Sequence, residues 1–405
     1  MDYALIGEHL DHSYSPEVHA LLRGYAYGLA PMPPEALPEF FRRRDFRGLN
    51  VTIPYKQAVI PFCDAQGETA RRVGCVNTIH KRSDGTLFGD NTDLFGFQYM
   101  LRRAEITLAG KHVLVLGGGG ASLMVQLAAA DAGATSVMVT DLNALLNYDN
   151  VYEMCIHAQV VVNTTPVGTY PASDASLVDL ARFPACEAAA DLIYHPLRTK
   201  LLQQAEALGM KTASGLAMLV AQAALSGEIF TGVPQPEGDI PRVCRALQAA
   251  KTNWVLVGMP GSGKSTVGRY LAQRAGREFL DTDWEIERRA GGSCAELIQA
   301  RGEEAFRALE SEVVKEVGAR TGLVIATGGG AVLSPENRFA LRQNGKVLWI
   351  RREAARLATF GRPLSGNLAE LEQKRTPLYQ AAADAALFHN EDWERLQRNA
   401  WEVFQ

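Results

Sequence analysis

Apolar positions along this chain come in two rhythms. Short continuous apolar runs alternate with longer stretches in which apolar residues return every three or four positions, and this predicts strands alternating with helices in an α/β architecture. Three runs, KHVLVLG (111–117), TNWVLVG (252–258) and GLVIATG (322–328), read as strands buried on both faces of parallel sheets. Each ends in glycine or enters a glycine-rich turn. Ligands of open parallel sheets sit outside the carboxyl ends of the strands, so these turns are where chemistry is expected.

A chain of 405 residues exceeds what one hydrophobic core supports and predicts two or three domains. The Pro- and Gly-rich stretch GVPQPEGDIP leads through one short helix to a new strand, which sets a boundary near residue 250, and a softer division falls near residue 101. With 47% hydrophobic and 21% charged residues the composition is that of a folded soluble protein. A net charge of -4 gives no general attraction to nucleic acid or anionic membrane. Six scattered cysteines form no Cys-x-x-Cys pair, the N-terminus has no signal-peptide pattern, and no run reaches the ~20 apolar residues of a membrane span. These features predict a cytoplasmic protein with reduced thiols.

The chemistry of the last third begins at GMPGSGKST (258–266), where Gly258-x-x-x-x-Gly263-Lys264-Ser265 follows a strand and opens a helix. In such a loop successive N–H groups and a helix N-terminus face phosphates, a lysine neutralises them, and a hydroxyl ligates magnesium. Gly261, Ser262, Gly263, Lys264, Ser265 and Thr266 are therefore the expected ATP contacts. Asp281 and Asp283 alternate after Phe279 and Leu280, so a strand there would point both carboxylates the same way, one toward the metal and one toward an acceptor hydroxyl. Both could instead cap the helix that follows. ATGGGAV (326–332) lets backbone approach a small ligand, and Arg307, Arg362 and Arg375 are candidate anion clamps.

In order, GMPGSGKSTVGR, FLDTDWEIE, GEEAFRALESEVV, ATGGGAV, RPLS and KRTPLY resemble shikimate kinase over residues 252 to about 390. The resemblance implies a P-loop, nucleoside-monophosphate-kinase-like α/β domain (251–405) with a lid. It implies that Asp283, Arg307, Gly328, Gly329, Gly330 and Arg375 hold shikimate, with Asp283 also catalytic, that Ser265 and Asp281 serve Mg2+, and that Arg362 closes over ATP from the lid.

Ahead of it, KHVLVLG runs into GGGGAS (117–122), a helix and the strand TSVMVT, a βαβ unit with a dinucleotide turn in which Gly117, Gly119 and Ser122 fill the three glycine positions. Before that unit lie HSYSPEVH, NVTIPYK, CVNT and GDNTD, small polar clusters beside apolar residues that suit a hydroxylated acid. Within them Lys56 and Asp93 form a candidate proton-relay pair, because a ketone receiving hydride needs a proton at oxygen. Asp93 could instead cap the helix LFGFQYMLRRA.

These motifs, with DLIYHPLRTKLLQQAEALGM and SGLAMLVAQAA, resemble shikimate dehydrogenase over residues 3 to about 245. That implies a substrate domain (1–100) completed by a helix at 214–230, a Rossmann NAD(P)-binding domain (101–213) and a closing helix and linker (231–250). Ser13, Ser15, Thr52, Lys56, Asn77, Asp93 and Gln222 would bind substrate, with Lys56 and Asp93 catalytic. Gly117, Gly118, Gly119, Gly120, Ala121 and Asp141 would bind the cofactor, while Tyr194 and Gly215 would line the junction of nicotinamide and substrate. The family's cofactor is NADP, received by an arginine where this chain has Asp141, and a carboxylate there opens NAD as an alternative.

Together the two resemblances imply a bifunctional enzyme that reduces 3-dehydroshikimate to shikimate and then phosphorylates it with ATP. Its partners would be these small molecules, with no nucleic acid or membrane. The rival readings are a dehydrogenase acting mainly on quinate fused to a small-molecule kinase, and a metabolite-sensing regulator without turnover.

Overall fold

Strand formation follows the apolar runs closely. The computed structural model describes residues 2–10, 13–353, 357, 368–389 and 392–405. They divide into two compact units: Met1–Thr169 with Ala175–Tyr194 and Leu201–Gln248, and Ala249–Gln405 with the short segments Tyr170–Asp174 and His195–Lys200.

The first unit holds two sheets. Strands β1 (Tyr3–Gly7), β2 (Tyr27–Pro31), β3 (Gly48–Val51), β4 (Ala65–Gln66), β5 (Thr78–Lys81) and β6 (Leu87–Asp90) form a mixed sheet in the order β2-β1-β3-β5-β6-β4. Its parallel part, β2-β1-β3, meets the antiparallel β5 at the β3–β5 pair, where Asn50 lies opposite Thr78; β6 is antiparallel to β5, and β4 closes the edge parallel to β6. The helix Leu216–Thr231 packs on the helices Asp93–Arg103 and Ser15–Arg23, which brings Gln222 and Ser226 beside this sheet. Its sequence is apolar all round, as expected of a helix buried on several sides.

The second sheet is all parallel: β7 (His112–Leu116), β8 (Ser136–Thr140), β9 (Val160–Asn163), β10 (Ala188–Asp191) and β11 (Lys211–Ser214), in the order β11-β10-β9-β7-β8. Alternate side chains of β7 enter opposite cores, Val113 and Val115 one and Leu114 and Leu116 the other. Burying each stabilises the fold by roughly 1.5–3 kcal/mol, which explains why such a strand shows no polar alternation. The order reverses between β7 and β9, and the glycine turn leaves the carboxyl end of β7 at that switch point.

In the second unit β12 (Asn253–Val257), β13 (Phe279–Asp281), β14 (Val324–Ala326), β15 (Gly345–Arg351) and β16 (Ala385–Phe388) make a parallel sheet in the order β13-β14-β12-β15-β16. Val255 and Val257 face one core, Trp254 and Leu256 the other. The phosphate-loop sequence leaves β12 at the centre of this sheet and enters the helix Lys264–Ala275. Among the described residues no helix is long and apolar enough to cross a membrane.

Candidate active sites

Lys56 sits in the turn after β3, and its Nζ donates to Asp93 Oδ2 at 2.6 Å. Asp93 begins the helix Asp93–Arg103, where a carboxylate would ordinarily be drawn to the free backbone N–H groups. Asn91 takes that role instead. Its Oδ1 accepts from the N–H groups of Asp93 and Leu94 at 3.0 and 3.3 Å, and the Asp93 carboxylate is left to face the lysine. Burial alone would push the Lys56 ammonium down, but the adjacent carboxylate outweighs it and the net shift is upward. The Lys56 ammonium is thus oriented and charged at neutral pH, an arrangement that can donate a proton.

Around it the expected substrate residues form two groups. Ser13 donates to Ser15 Oγ at 3.2 Å and also hydrogen-bonds Tyr194, whose phenol is held above its ordinary range by burial. The ring of Tyr194 lies 5.2 Å from that of Tyr14. Asn77 donates to Thr92 Oγ1 at 3.1 Å and accepts the Thr92 N–H at 2.7 Å, while Thr92 reaches Gln222 Oε1 at 3.4 Å. Thr52 follows β3 directly and is half-buried. Thr92, Asn50, Thr78 and Ser226 were not singled out by the sequence reasoning. They form a buried network with Asn77 in which Asn50 Nδ2 donates to Ser226 Oγ at 2.8 Å. Polar residues at positions where the strand pattern demands apolar ones, as in NVT and CVNT, were the available signal.

At the end of β7, Gly117 has φ +100°, and a Cβ there would meet Thr165 Cγ2 at 2.5 Å. Gly119 and Gly120 face open space and lead into the helix Gly120–Asp131, with Ala121 in its first turn and Ser122 buried against it. This cradle fits a dinucleotide pyrophosphate: free backbone donors at a helix N-terminus with no side chain in the way. Asp141, one residue past β8, accepts from Gly118 N–H at 2.7 Å. Gly215 caps the helix Leu216–Thr231, and a Cβ there would collide with the Leu192 carbonyl at 2.1 Å, so its close approach is to the chain's own backbone.

In the second unit a cleft of about 550 Å³ collects most of the expected kinase residues. Lys264 is buried, its Nζ donating to the carbonyls of Gly258 and Met259 at 3.0 Å each, and Gly261, Ser265 and Thr266 line the cleft beside it. Ser262 is fully buried in the loop. Ser265 Oγ donates to Asp281 Oδ2 at 2.6 Å, and this hydroxyl–carboxylate pair of hard oxygens fits Mg2+.

The expectation that one strand carries Asp281 and Asp283 is corrected. Strand β13 ends at Asp281, whose Oδ1 caps the helix Thr282–Ala290 by accepting the Asp283 N–H at 3.1 Å. Asp283 thus stands on the first helical turn, and the two carboxylates converge through the cap rather than through strand alternation. Burial first, then the charge of Asp281, pushes the Asp283 carboxyl up to about 6, against the pull of Lys264.

Opposite, Arg307 Nη1 donates to Glu310 Oε2 at 2.7 Å, and Arg375 Nη1 donates to the Gly329 carbonyl at 3.2 Å. A Cβ on Gly330 would meet the Arg307 guanidinium at 2.3 Å, and one on Gly328 would meet Asp283 Oδ1 at 2.4 Å, so these two glycines clear room for the two side chains, while a Cβ on Gly329 would meet the Pro260 ring at 2.6 Å. Among the described residues Arg375 Nε and Glu310 Oε1 are buried without a hydrogen-bond partner, which marks a place where a polar ligand completes the set. Glu310 was missed in the sequence, although its place three residues after Arg307 on a helix was the signal. Arg362, expected in a lid over ATP, lies outside the described residues.

Residues 5–79 match the family model for the shikimate dehydrogenase substrate binding domain, and residues 260–395 match that for shikimate kinase. A shikimate dehydrogenase (NADP(+)) of Thermus thermophilus is 39% identical over 263 residues, an alignment covering 60% of this chain and 98% of that protein. Among solved structures, shikimate 5-dehydrogenase from Thermus thermophilus in complex with NADP(H) and shikimate is 35% identical with a TM-score of 0.55, covering 61% of this chain and 99% of that one. Quinate dehydrogenase from Corynebacterium glutamicum in complex with NAD is 27% identical with a TM-score of 0.54, covering 61% and 98%.

Proposed function

We propose that this chain, which belongs to the shikimate dehydrogenase family and carries a shikimate kinase domain behind it, catalyses two consecutive steps of the shikimate pathway. In the first, 3-dehydroshikimate is reduced to shikimate with a nicotinamide dinucleotide, NADP(H) in the relative named above or NAD(H). In the second, ATP and Mg2+ convert shikimate to shikimate 3-phosphate. The observation that carries the reading is that each unit gathers reactive side chains suited to its step: Lys56 paired with Asp93 in one, and Lys264, Ser265, Asp281 and Asp283 around one cleft in the other.

A nicotinamide cofactor bound at the glycine turn would supply the hydride for the ketone carbon. Lys56, oriented by Asp93, gives its proton to the ketone oxygen, so the alcohol forms without a free alkoxide. Ser13, Ser15, Thr52, Asn77 and Gln222 hold the ring hydroxyls and carboxylate. In the second unit the loop from Gly261 to Thr266 would hold ATP, and Ser265 and Asp281 would hold the magnesium that neutralises its phosphates. Arg307 and Arg375 take the shikimate carboxylate, which positions the 3-hydroxyl at Asp283. That carboxylate accepts the hydroxyl proton as the phosphoryl group transfers, and Lys264 offsets the charge on the phosphates.

Six free cysteines suit a reducing compartment, and we place the enzyme in the cytoplasm. One assay tests the whole reading. The full chain is supplied with 3-dehydroshikimate, reduced nicotinamide cofactor, ATP and Mg2+, and the product is identified by mass. Shikimate 3-phosphate is expected; shikimate alone would remove the kinase assignment, and unchanged substrate would remove the dehydrogenase assignment, with shikimate then supplied directly to test the kinase.

A further inference from the structure

The adenosine end of the dinucleotide site decides which nicotinamide cofactor enters. In this fold an acidic residue about 20 positions beyond the glycine turn accepts hydrogen bonds from the ribose hydroxyls of NAD, whereas the 2'-phosphate of NADP needs a nearby cation. Asp141 stands 23 positions beyond Gly118 at the carboxyl end of β8, beside the switch point. Two backbone donors hold its carboxylate at the rim of the turn, Gly118 N–H on Oδ2 at 2.7 Å and Leu142 N–H on Oδ1 at 2.6 Å. A Cβ on Gly118 would come within 2.4 Å of Oδ2, so residue 118 must lack a side chain for the carboxylate to sit there.

No lysine or arginine lies near it along the chain. Between Lys111 and Arg182 the sequence contains neither lysine nor arginine, and that stretch includes the glycine turn, β8, the loop after it and β9. The flanking cations are engaged elsewhere: Lys111 with Glu187 at 2.7 Å, and Arg182 over the Tyr152 ring, 3.5 Å from its centroid. Arg72 pairs with Asp131 at the last residue of the helix Gly120–Asp131, the end opposite the turn. The residues present therefore fit a ribose diol and do not fit a phosphate dianion.

We infer that the dehydrogenase unit selects NAD(H) over NADP(H), with Asp141 as the selecting residue. This departs from the NADP of the relative above. It rests on the dehydrogenase reading for the identity of the site, and two measurements keep the two apart. Titrating the full chain with NADH and NADPH, followed by nicotinamide fluorescence without any substrate, should give a dissociation constant for NADH at least about tenfold the lower. Asp141→Asn should raise the NADH value and narrow the gap, while Asp141→Arg should invert it. Equal or tighter binding of NADPH by the unaltered chain, binding of neither, or a ratio unmoved in folded Asp141 variants overturns the inference. If a variant does not fold, the titration of the unaltered chain decides alone. In the second measurement, kcat/KM for 3-dehydroshikimate should favour NADH in the same sense. An NADH binding preference without turnover overturns the activity and leaves the cofactor selection standing; preferred turnover with NADPH overturns the selection.

Discussion

The two units solve one problem twice and differently: how to keep a carboxylate reactive at the start of a helix. There the free N–H groups compete for any anion. In the first unit Asn91 accepts the N–H of Asp93, two residues on, and in the second Asp281 accepts the N–H of Asp283, again two residues on. Both caps leave the second carboxylate available. The difference is the charge of the cap. A neutral asparagine lets Asp93 spend its charge on Lys56, whereas an anionic cap sets Asp281 against Asp283 and helps push the latter up to about 6. An extra anion suits a place where a cation is to be bound, and Asp281 already accepts the Ser265 hydroxyl on the side of the phosphate loop. The chemistry of each site can be read from its cap.

The strongest way to break this comparison is Lys56→Ala. If the first pair exists to deliver a proton, kcat for reduction should fall about 10²–10⁴-fold with KM changed little and phosphorylation intact. A loss confined to KM would make Lys56 a binding residue and end the parallel. The pH profile sharpens the point. Burial lowers the lysine and Asp93 raises it further than burial lowers it, so the ammonium persists through neutral pH and activity should fall on the alkaline side as the lysine loses its proton. Asp93→Asn removes the raising influence and leaves burial, so that alkaline limb should move to lower pH. A limb that stays in place would mean that another group donates.

Next in size is Lys264→Ala, expected to lower phosphorylation about 10²–10³-fold through loss of charge stabilisation at the phosphates, with reduction unchanged. Loss of both activities would show that the units do not work independently. Much of this site was legible beforehand, because a phosphate loop needs its glycines, lysine and hydroxyl at fixed spacings along one segment. The strands were legible too, since a run such as NWVLV has no solvent face to show. What escaped was tertiary. Asn50 and Ser226 are partners across 176 positions, and no local pattern links them. The Asp281–Asp283 geometry escaped because alternation after an apolar pair resembles a strand, while the cap that ends the strand at Asp281 is decided by the helix that follows.

A smaller, more pointed change is Asp281→Asn, which gives the second unit the neutral cap of the first. The side-chain oxygen can still accept the Asp283 N–H, so the helix start should persist, but the anion is gone. Asp283 should then titrate lower than about 6, because one of the two leading causes of its rise is removed. The Mg2+ concentration for half-maximal phosphorylation should rise about tenfold, within the 10–100-fold range for lost metal-site partners. An unchanged magnesium requirement would assign Asp281 to capping alone.

The smallest expected effect is that of Asn91→Ala, which removes the neutral cap itself. Asn91 is 3% exposed, and besides the two N–H groups it accepts, its Nδ2 donates to the Cys75 carbonyl at 3.2 Å. Loss of an N-terminal cap costs about 1 kcal/mol, which for a unit of this size lowers its thermal midpoint by about 2–4 °C. The freed N–H groups of Asp93 and Leu94 then compete with Lys56 for the Asp93 carboxylate. Part of the Lys56 pairing should be lost with them, and kcat for reduction should drop several-fold while phosphorylation holds. If stability falls and kcat does not, the Lys56–Asp93 pair keeps its geometry without help, and the cap serves the helix and not the chemistry.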